Sequence, residues 1–330
     1  MNVFYSLLGI IGLVVFVTGG IELLGWYSLF GVIIPYAAAI AFIAGFIYRV
    51  LKWARSPVPF HIPTVCGQQK SLPWIKANTI GSPSTGAGVI ARMALEVLLF
   101  RSLFWNERVE MKRAHELLYK RNLYLWLGGL AFHWSLLVIL FRHARFFLEP
   151  VPSAVVFVQV LDGIFQSIVP ILYNSDVIIV AALTYLFLRR VTDPQIRYIS
   201  LPSDYFATLL LMSVVGSGIL MRLFYKADLV KVKGWAMGMI SFHPALPEGV
   251  GLLFYIHLFF VALLMAYFPI SKLMHMAGIL LSPTINLRND SRMRRHVNPW
   301  DYPVKVHTYE EWEGEFREAI KEAGLPLEKE

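Results

Sequence analysis

Four of the nine histidines fall in or at the edges of the most apolar stretches: His133 and His143 in one, His257 and His275 in another. An ionisable side chain at membrane depth is costly, so it is paired, hydrogen-bonded or functional. One such histidine could simply bond to a neighbouring helix. Two on each of two helices point instead to paired metal ligands, because neutral imidazole is a common transition-metal donor and a standard axial ligand of haem iron. On a helix, His133 and His143, ten residues apart, are separated by a rise of about 15 Å, and His257 and His275, eighteen apart, by about 27 Å. If the two helices run antiparallel, His133 faces His275 and His143 faces His257. The two metals then stand about 21 Å apart along the membrane normal. Two b-type haems, each held by two histidines, are the economical reading. A zinc-type site fits poorly, since no carboxylate or thiolate shares these faces.

The angular fit is uneven. Eighteen residues return to one helix face, whereas ten leave a rotation of about 80°, so the first helix must tilt or supercoil. Gly128 and Gly129, one turn before His133, would let a flat ligand approach the backbone or would let two helices pack closely. Arg142 and Arg145 flank His143 and would pair with haem propionates or anchor the helix at the interface. Pro269 removes a backbone donor and is expected to kink the other helix before His275. Were the helix to end there, His275 would sit in a loop. The rival from another class is a membrane anchor or transporter without haem, its histidines forming a proton path.

The histidines need long apolar helices to carry them. Hydrophobic residues make up 57% of the 330 positions and charged residues 16%, and the apolar ones come in long blocks, a membrane signature. About 20 apolar residues are needed to cross the roughly 30 Å hydrocarbon layer. Six stretches qualify: Val3–Leu24, Leu29–Trp53, Leu123–Leu148, Ile164–Leu188, Tyr205–Phe224 and Val250–Ser271. The fold class expected is an all-α membrane protein, about six transmembrane helices in a haem-binding bundle. The fourth stretch is the least regular, because Asn174 and Asp176 interrupt it. The first lacks the basic flank and cleavage site of a signal peptide and reads as a retained helix.

Lys and Arg set the orientation. Of the 30, 24 fall in the 49–122 segment, the turn at Arg189–Arg197 and the tail from Lys272 onward, against six on the other side. Both termini are therefore predicted to be cytoplasmic, and the net charge of +8 reflects topology and contact with anionic membrane lipid. No motif or aromatic-interleaved groove suggests nucleic acid. Cys66 is the lone cysteine, which excludes an intramolecular disulfide, an iron–sulfur cluster held by this chain alone and a c-type haem; an inert buried thiol is expected there.

Four units follow along the chain. Residues 1–53 form an N-terminal transmembrane hairpin. Residues 54–122 form a cytoplasmic loop that begins with a proline-rich, non-helical run, Ser56–Pro63, expected along the membrane surface. Val89–Trp105 then reads as an interfacial amphipathic helix, with Arg92 and Glu96 one turn apart. Residues 123–280 form the four-helix di-haem unit. Residues 281–330 form a tail in which Thr308 and Glu311 make a capping-box pattern, starting a helix that should stop near Gly324. With Trp300, Tyr302, Tyr309 and Trp312 in need of a surface, the tail is expected to dock on a cytoplasmic partner.

The stretches FHWSLLVILFRH and YIHLFFVALLMAYFPISKLMH resemble the haem-bearing helices of the respiratory nitrate reductase gamma subunit family. Over nearly its whole length, including IYRVLKWARSPVPFHIPTVCGQQKSLPW and MRRHVNPWDYPVKVHTYEEWEGEF, the chain is more specifically similar to DsrM, the family of membrane cytochrome b subunits of the sulfite-reduction-associated Dsr complex. The resemblance implies two haem b groups, with His133 and His275 for the cytoplasmic one and His143 and His257 for the outer one. It also implies menaquinol or menaquinone exchange, an iron–sulfur partner related to heterodisulfide reductase, further Dsr membrane-complex subunits and a prokaryotic cytoplasmic membrane. On that footing a quinol oxidised near the outer face would find His243 and Glu248 as proton acceptors, and Lys231 and Lys233 would steer a quinone oxygen. The same residues serve the reverse, quinone-reducing direction. The extra N-terminal span, the 54–122 loop and the tail set the chain apart from the nitrate reductase subunit.

Overall fold

The computed structural model describes residues 2–56, 76–111, 117–167, 172–290 and 306–328. Cys66, the prolines of the 57–63 run, Arg292, Arg294, Arg295, Trp300 and Tyr302 lie outside the described residues. Helix α1 spans Asn2–Glu22, and α2, Ile34–Ala54, is entered through a wide helical turn at Leu29–Ile33. Helices α3 (Gly86–Leu99) and α4 (Arg101–Phe104) precede a two-stranded antiparallel hairpin, β1 (Glu107–Met111) and β2 (Leu117–Arg121), in which Glu107 pairs with Arg121. Helices α5 (Leu123–His143), α6 (Ser153–Asp162), α7 (Asn174–Thr192), α8 (Pro194–Ile199) and α9 (Pro202–Leu223) follow. The chain continues with α10 (Leu229–Ile240), α11 (Leu252–Tyr267), α12 (His275–Leu281), α13 (Pro283–Asn286) and α14 (Tyr309–Glu322).

Among the described residues, five segments are long and apolar enough to cross a membrane: 2–22, 29–54, 123–146, 202–223 and 252–270. The expected fourth span begins ten residues later than predicted. Ile164–Ser167 is a short 3-10 turn and the helix proper starts at Asn174. Asp176, Arg189 and Arg190 dilute its apolar run, yet α7 traverses the same height as its neighbours. Its first turn is tied to the ends of α5 and α9 through Asp176 with Arg142 and Arg222. Its last turn reaches the start of α9 through Arg190 and Asp204, 3.8 Å apart. The charges that spoil its composition sit at its two ends, where they join it to the bundle.

The near end of the bundle gathers the starts of α1, α5 and α9 and the segment before α12. Asn2 Nδ2 donates to Ser200 O, Ser6 Oγ to Pro202 O, and Lys272 lies 2.8 Å from Asp204. The far end gathers the ends of α1, α5 and α9 and the start of α11. Two apolar cores run between these ends. One, with Val17, Ile21, Phe30, Leu210, Trp235, Tyr255 and Phe260 buried, joins α1, α9, α10 and α11. The other, around Phe132, Ile179, Leu183 and Leu211, joins α5, α7 and α9.

Helix α3 corrects the expectation of a plain amphipathic helix ending at Trp105. Thr85 caps its start by accepting from Gly88 N, and Phe100, in the left-handed region at φ 50°, ends it. Its charged face points inward. Arg92 donates to Thr284 O, and Glu96 accepts from Ser102 N and Oγ, at 2.9 and 2.7 Å. Its last carbonyls, on Leu98 and Leu99, accept from the Trp134 and Trp126 indoles of α5. Ile90, Val97, Leu98 and Leu99 face outward. At the other end of the chain, α14 starts at the expected capping box: Thr308 Oγ1 accepts from Glu311 N, Glu311 accepts from Thr308 N, and Gly324 at φ 69° follows the helix.

Candidate functional site

Two of the four intramembrane histidines sit on α5. His133 Nδ1 lies 2.7 Å from Gly129 O and His143 Nδ1 2.7 Å from Ile139 O, each ring bonding back to the carbonyl four residues earlier. His275 Nδ1 lies 3.0 Å from Lys272 O, and His257 Nδ1 3.0 Å from Ser217 Oγ and 3.1 Å from Val214 O. A carbonyl only accepts, so the Nδ1 nitrogens of His133, His143 and His275 carry the ring proton; His257 has a carbonyl and a hydroxyl to receive its own. That arrangement leaves Nε2 with a lone pair, and it is how metal-binding imidazoles are usually oriented.

The helix that carries His257 does not continue to His275. Pro269 ends α11; a 3-10 turn over Phe268–Ile270 and an extended residue, Ser271, follow, then a second 3-10 turn over Lys272–Met274. The kink expected at Pro269 is therefore a full break, and a straight rise no longer measures the distance between His257 and His275. The break still delivers His275 to His133, with ring centroids 5.8 Å apart and planes at 87°. Two imidazoles at that separation, each with Nε2 free, could share one metal ion between them. The donor set and spacing of this pair fit a haem iron. Phe100 and Phe132 meet the His133 ring edge-on, at 4.9 and 4.8 Å. At the far end, His143 closes α5 and His257 sits in the first half of α11. Among the described residues no three His, Cys, Asp or Glu side chains gather as metal donors.

The surrounding candidates divide. Gly128 serves helix packing, because a Cβ there would fall 2.7 Å from the Tyr185 ring of α7. Gly129 offers its carbonyl to His133 and meets only the end of Leu103, at 3.3 Å. Gly218, which the sequence did not single out, gives His257 its space: a Cβ would lie 3.2 Å from the ring. Arg142 is already engaged. It is buried between Asp162 at 3.0 Å and Asp176 at 3.3 Å, with its guanidinium 3.7 Å from the Tyr173 ring centre. Arg222 lies 3.7 Å from the same ring centre and 3.5 Å from Asp176, while Ser175 N and Oγ donate to Asp162. Arg145 donates to Gln159. Arg142 and Arg145 are the two arginines expected at propionates, and these are their partners within the chain.

The far-end loop holds the remaining four. Lys231 donates to Glu248 O, Lys233 pairs with Glu149, and His243 Nδ1 bonds to Ser241 O. His243 and Glu248 are exposed. Lys231 and Lys233 ride on α10, a helix the sequence reading left as loop. Asp228 caps it by accepting from Val230 N and Lys231 N, and Trp235 pins it to Gly31 O. The Asp-Leu-Val-Lys start was the available signal; two glycines and two lysines in twelve residues hid the rest.

Residues 94–289 match the nitrate reductase gamma subunit family. The chain is 46% identical, over 83% of its length and 83% of the relative, to the Hdr-like menaquinol oxidoreductase cytochrome b-like subunit of Archaeoglobus fulgidus. It is 43% identical, over 81% of each chain, to the subunit of the same name from Archaeoglobus profundus.

Proposed function

The chain belongs to the nitrate reductase gamma subunit family, and from that membership we propose that it is the di-haem cytochrome b subunit of a membrane-bound menaquinol oxidoreductase. His133 and His275 would hold one haem b, His143 and His257 the other. When bound, the two groups would supply one-electron carriers linking menaquinol at the far end to a cytoplasmic iron–sulfur partner, related to heterodisulfide reductase, at the near end. The setting would be sulfite or sulfate respiration. The observation that carries this reading is the paired imidazoles, each with Nδ1 committed to a backbone carbonyl or hydroxyl and Nε2 left to ligate.

The chain's own contribution is orientation. The Nδ1 bonds fix tautomer and ring rotation, Gly218 gives His257 its room, and Phe100 and Phe132 brace His133. His243 and Glu248, exposed at the far end, would receive the quinol's protons. The basic residues concentrated at the near end support its cytoplasmic placement. A pyridine haemochrome assay on the purified chain should find two b haems. His143→Ala or His257→Ala should remove one and spare the other, and His133→Ala or His275→Ala should remove the complementary one. No haem at all, or equal loss of both from one substitution, refutes the assignment.

A further inference from the structure

Two helices in this protein are built inside out. Helix α6 turns its amide and its carboxylate inward, Gln159 to Arg145 and Asp162 to Arg142 and Ser175. Its outward face is Val156, Phe157, Val160 and Leu161, continued by Ile164, with Phe157 62% and Val160 66% exposed. No charged side chain lies on that face. Helix α3 shows the same inversion, with Arg92 and Glu96 buried while Ile90, Val97, Leu98 and Leu99 are exposed. A helix facing water is arranged the other way.

The geometry points to lipid as the occupant of both faces: α3 and α6 are boundary helices, one at each edge of the hydrocarbon layer, with their apolar sides turned to acyl chains. Three observations select lipid. The helices have 14 and 10 residues, about 21 and 15 Å, too short to cross the layer. Helix α3 is attached to Trp126 and Trp134 of α5, and α6 to Arg142 in the last turn of α5 and Arg145 just after it. Sixteen residues of helix separate Trp126 from Arg142 and eight separate Trp134 from it, about 24 and 12 Å, so α3 and α6 are held at different depths of the roughly 30 Å layer. Finally, the outward face of α6 continues that of its neighbours: Phe141 beside Arg142 and Val177 beside Asp176 are also exposed. This sets the depth of the far end, because the Arg142–Asp162–Asp176 cluster then lies just beneath the lipid headgroups.

Spin-label accessibility tests it in the full chain in phospholipid nanodiscs. A nitroxide is placed at Phe157→Cys or Val160→Cys on α6 and at Leu98→Cys on α3, in a Cys66→Ser background. Leu137→Cys on α5 is the deep lipid reference and Glu318→Cys on α14 the aqueous one. Collision with oxygen should exceed collision with a water-soluble nickel chelate several-fold at all three positions, giving ratios nearer Leu137→Cys than Glu318→Cys. Nickel collision as frequent as at Glu318→Cys overturns the inference, because water then covers the face. Labels that neither reagent reaches overturn it too, since protein is then the occupant, and a lipid signal on only one helix overturns the paired placement.

Discussion

Replacing Arg142 by Met keeps the side-chain stem and removes the guanidinium, and the structure sets the size of the loss. The change deletes the contacts to Asp162 at 3.0 Å and Asp176 at 3.3 Å, and the charge over Tyr173. All three ionic side chains are less than a tenth exposed, at 9% for Arg142, 6% for Asp162 and 9% for Asp176. Removing one partner of a buried pair costs about 3–5 kcal/mol, because the other charge is stranded away from water. Neither carboxylate is stranded completely. Asp162 keeps Ser175 N and Oγ, at 2.8 and 2.7 Å, and Asp176 keeps Tyr173 N at 3.1 Å and Arg222 at 3.5 Å. The loss therefore falls at the low end, about 3 kcal/mol, and at about 2 °C per kcal/mol in a chain of this size the Tm should drop by about 6 °C. Tryptophan fluorescence during heating of the purified protein in detergent reads this directly. Asp162→Asn combined with Arg142→Met should cost less than the two changes summed, by about 1–2 kcal/mol. A Tm that moves by no more than about 1 °C, or strict additivity, would refute the claim that this cluster locks α5, α6 and α7 together.

Gly128→Val should destabilise by about 1–3 kcal/mol in the same melting experiment, because its side chain enters the Tyr185 ring, whereas Gly129→Ala should stay close to neutral against the movable end of Leu103. Trp126→Phe removes the donor to Leu99 O, worth about 1 kcal/mol, and should speed amide exchange in α3 while leaving α5 unchanged. Thr308→Ala removes the cap of α14, again about 1 kcal/mol, so the amides of Glu310–Trp312 should exchange about fivefold faster.

What the sequence conveyed well was whatever depends on local periodicity or on spacing along one helix. Apolar length alone located α1, α2, α5, α9 and α11 to within about five residues at each end, and Thr308 with Glu311 announced α14. The histidine spacings carried the pairing, because antiparallel neighbours bring His133 to His275 whether or not the intervening helix is straight. The break after Tyr267 was only half legible: Pro269 signalled a disturbance, but its outcome depended on Ser271 capping a new turn. The contacts of Arg142 within the chain were illegible for a different reason. Its partners Asp162 and Asp176 are 20 and 34 residues away, and only the fold shows that they meet. Helices α6 and α10 were missed because each is short, and the inverted polarity of α3 was invisible because a periodic pattern reveals two faces without saying which one is inside.

The interruption between α11 and α12 gives the near end a different mechanical character from the far end. His257 lies inside α11 and His143 closes α5, so a group bridging them would join two long helices. His275 opens a separate seven-residue segment that Pro269 and Ser271 cut off from the ladder of α11. A group held jointly by His133 and His275 would therefore act as a rivet, clamping a loose plate onto α5. Ligand occupancy and local rigidity would then be coupled at that joint: binding should slow amide exchange in α12 far more than in α11, and tension on the tail beyond Leu281 would be felt first at His275.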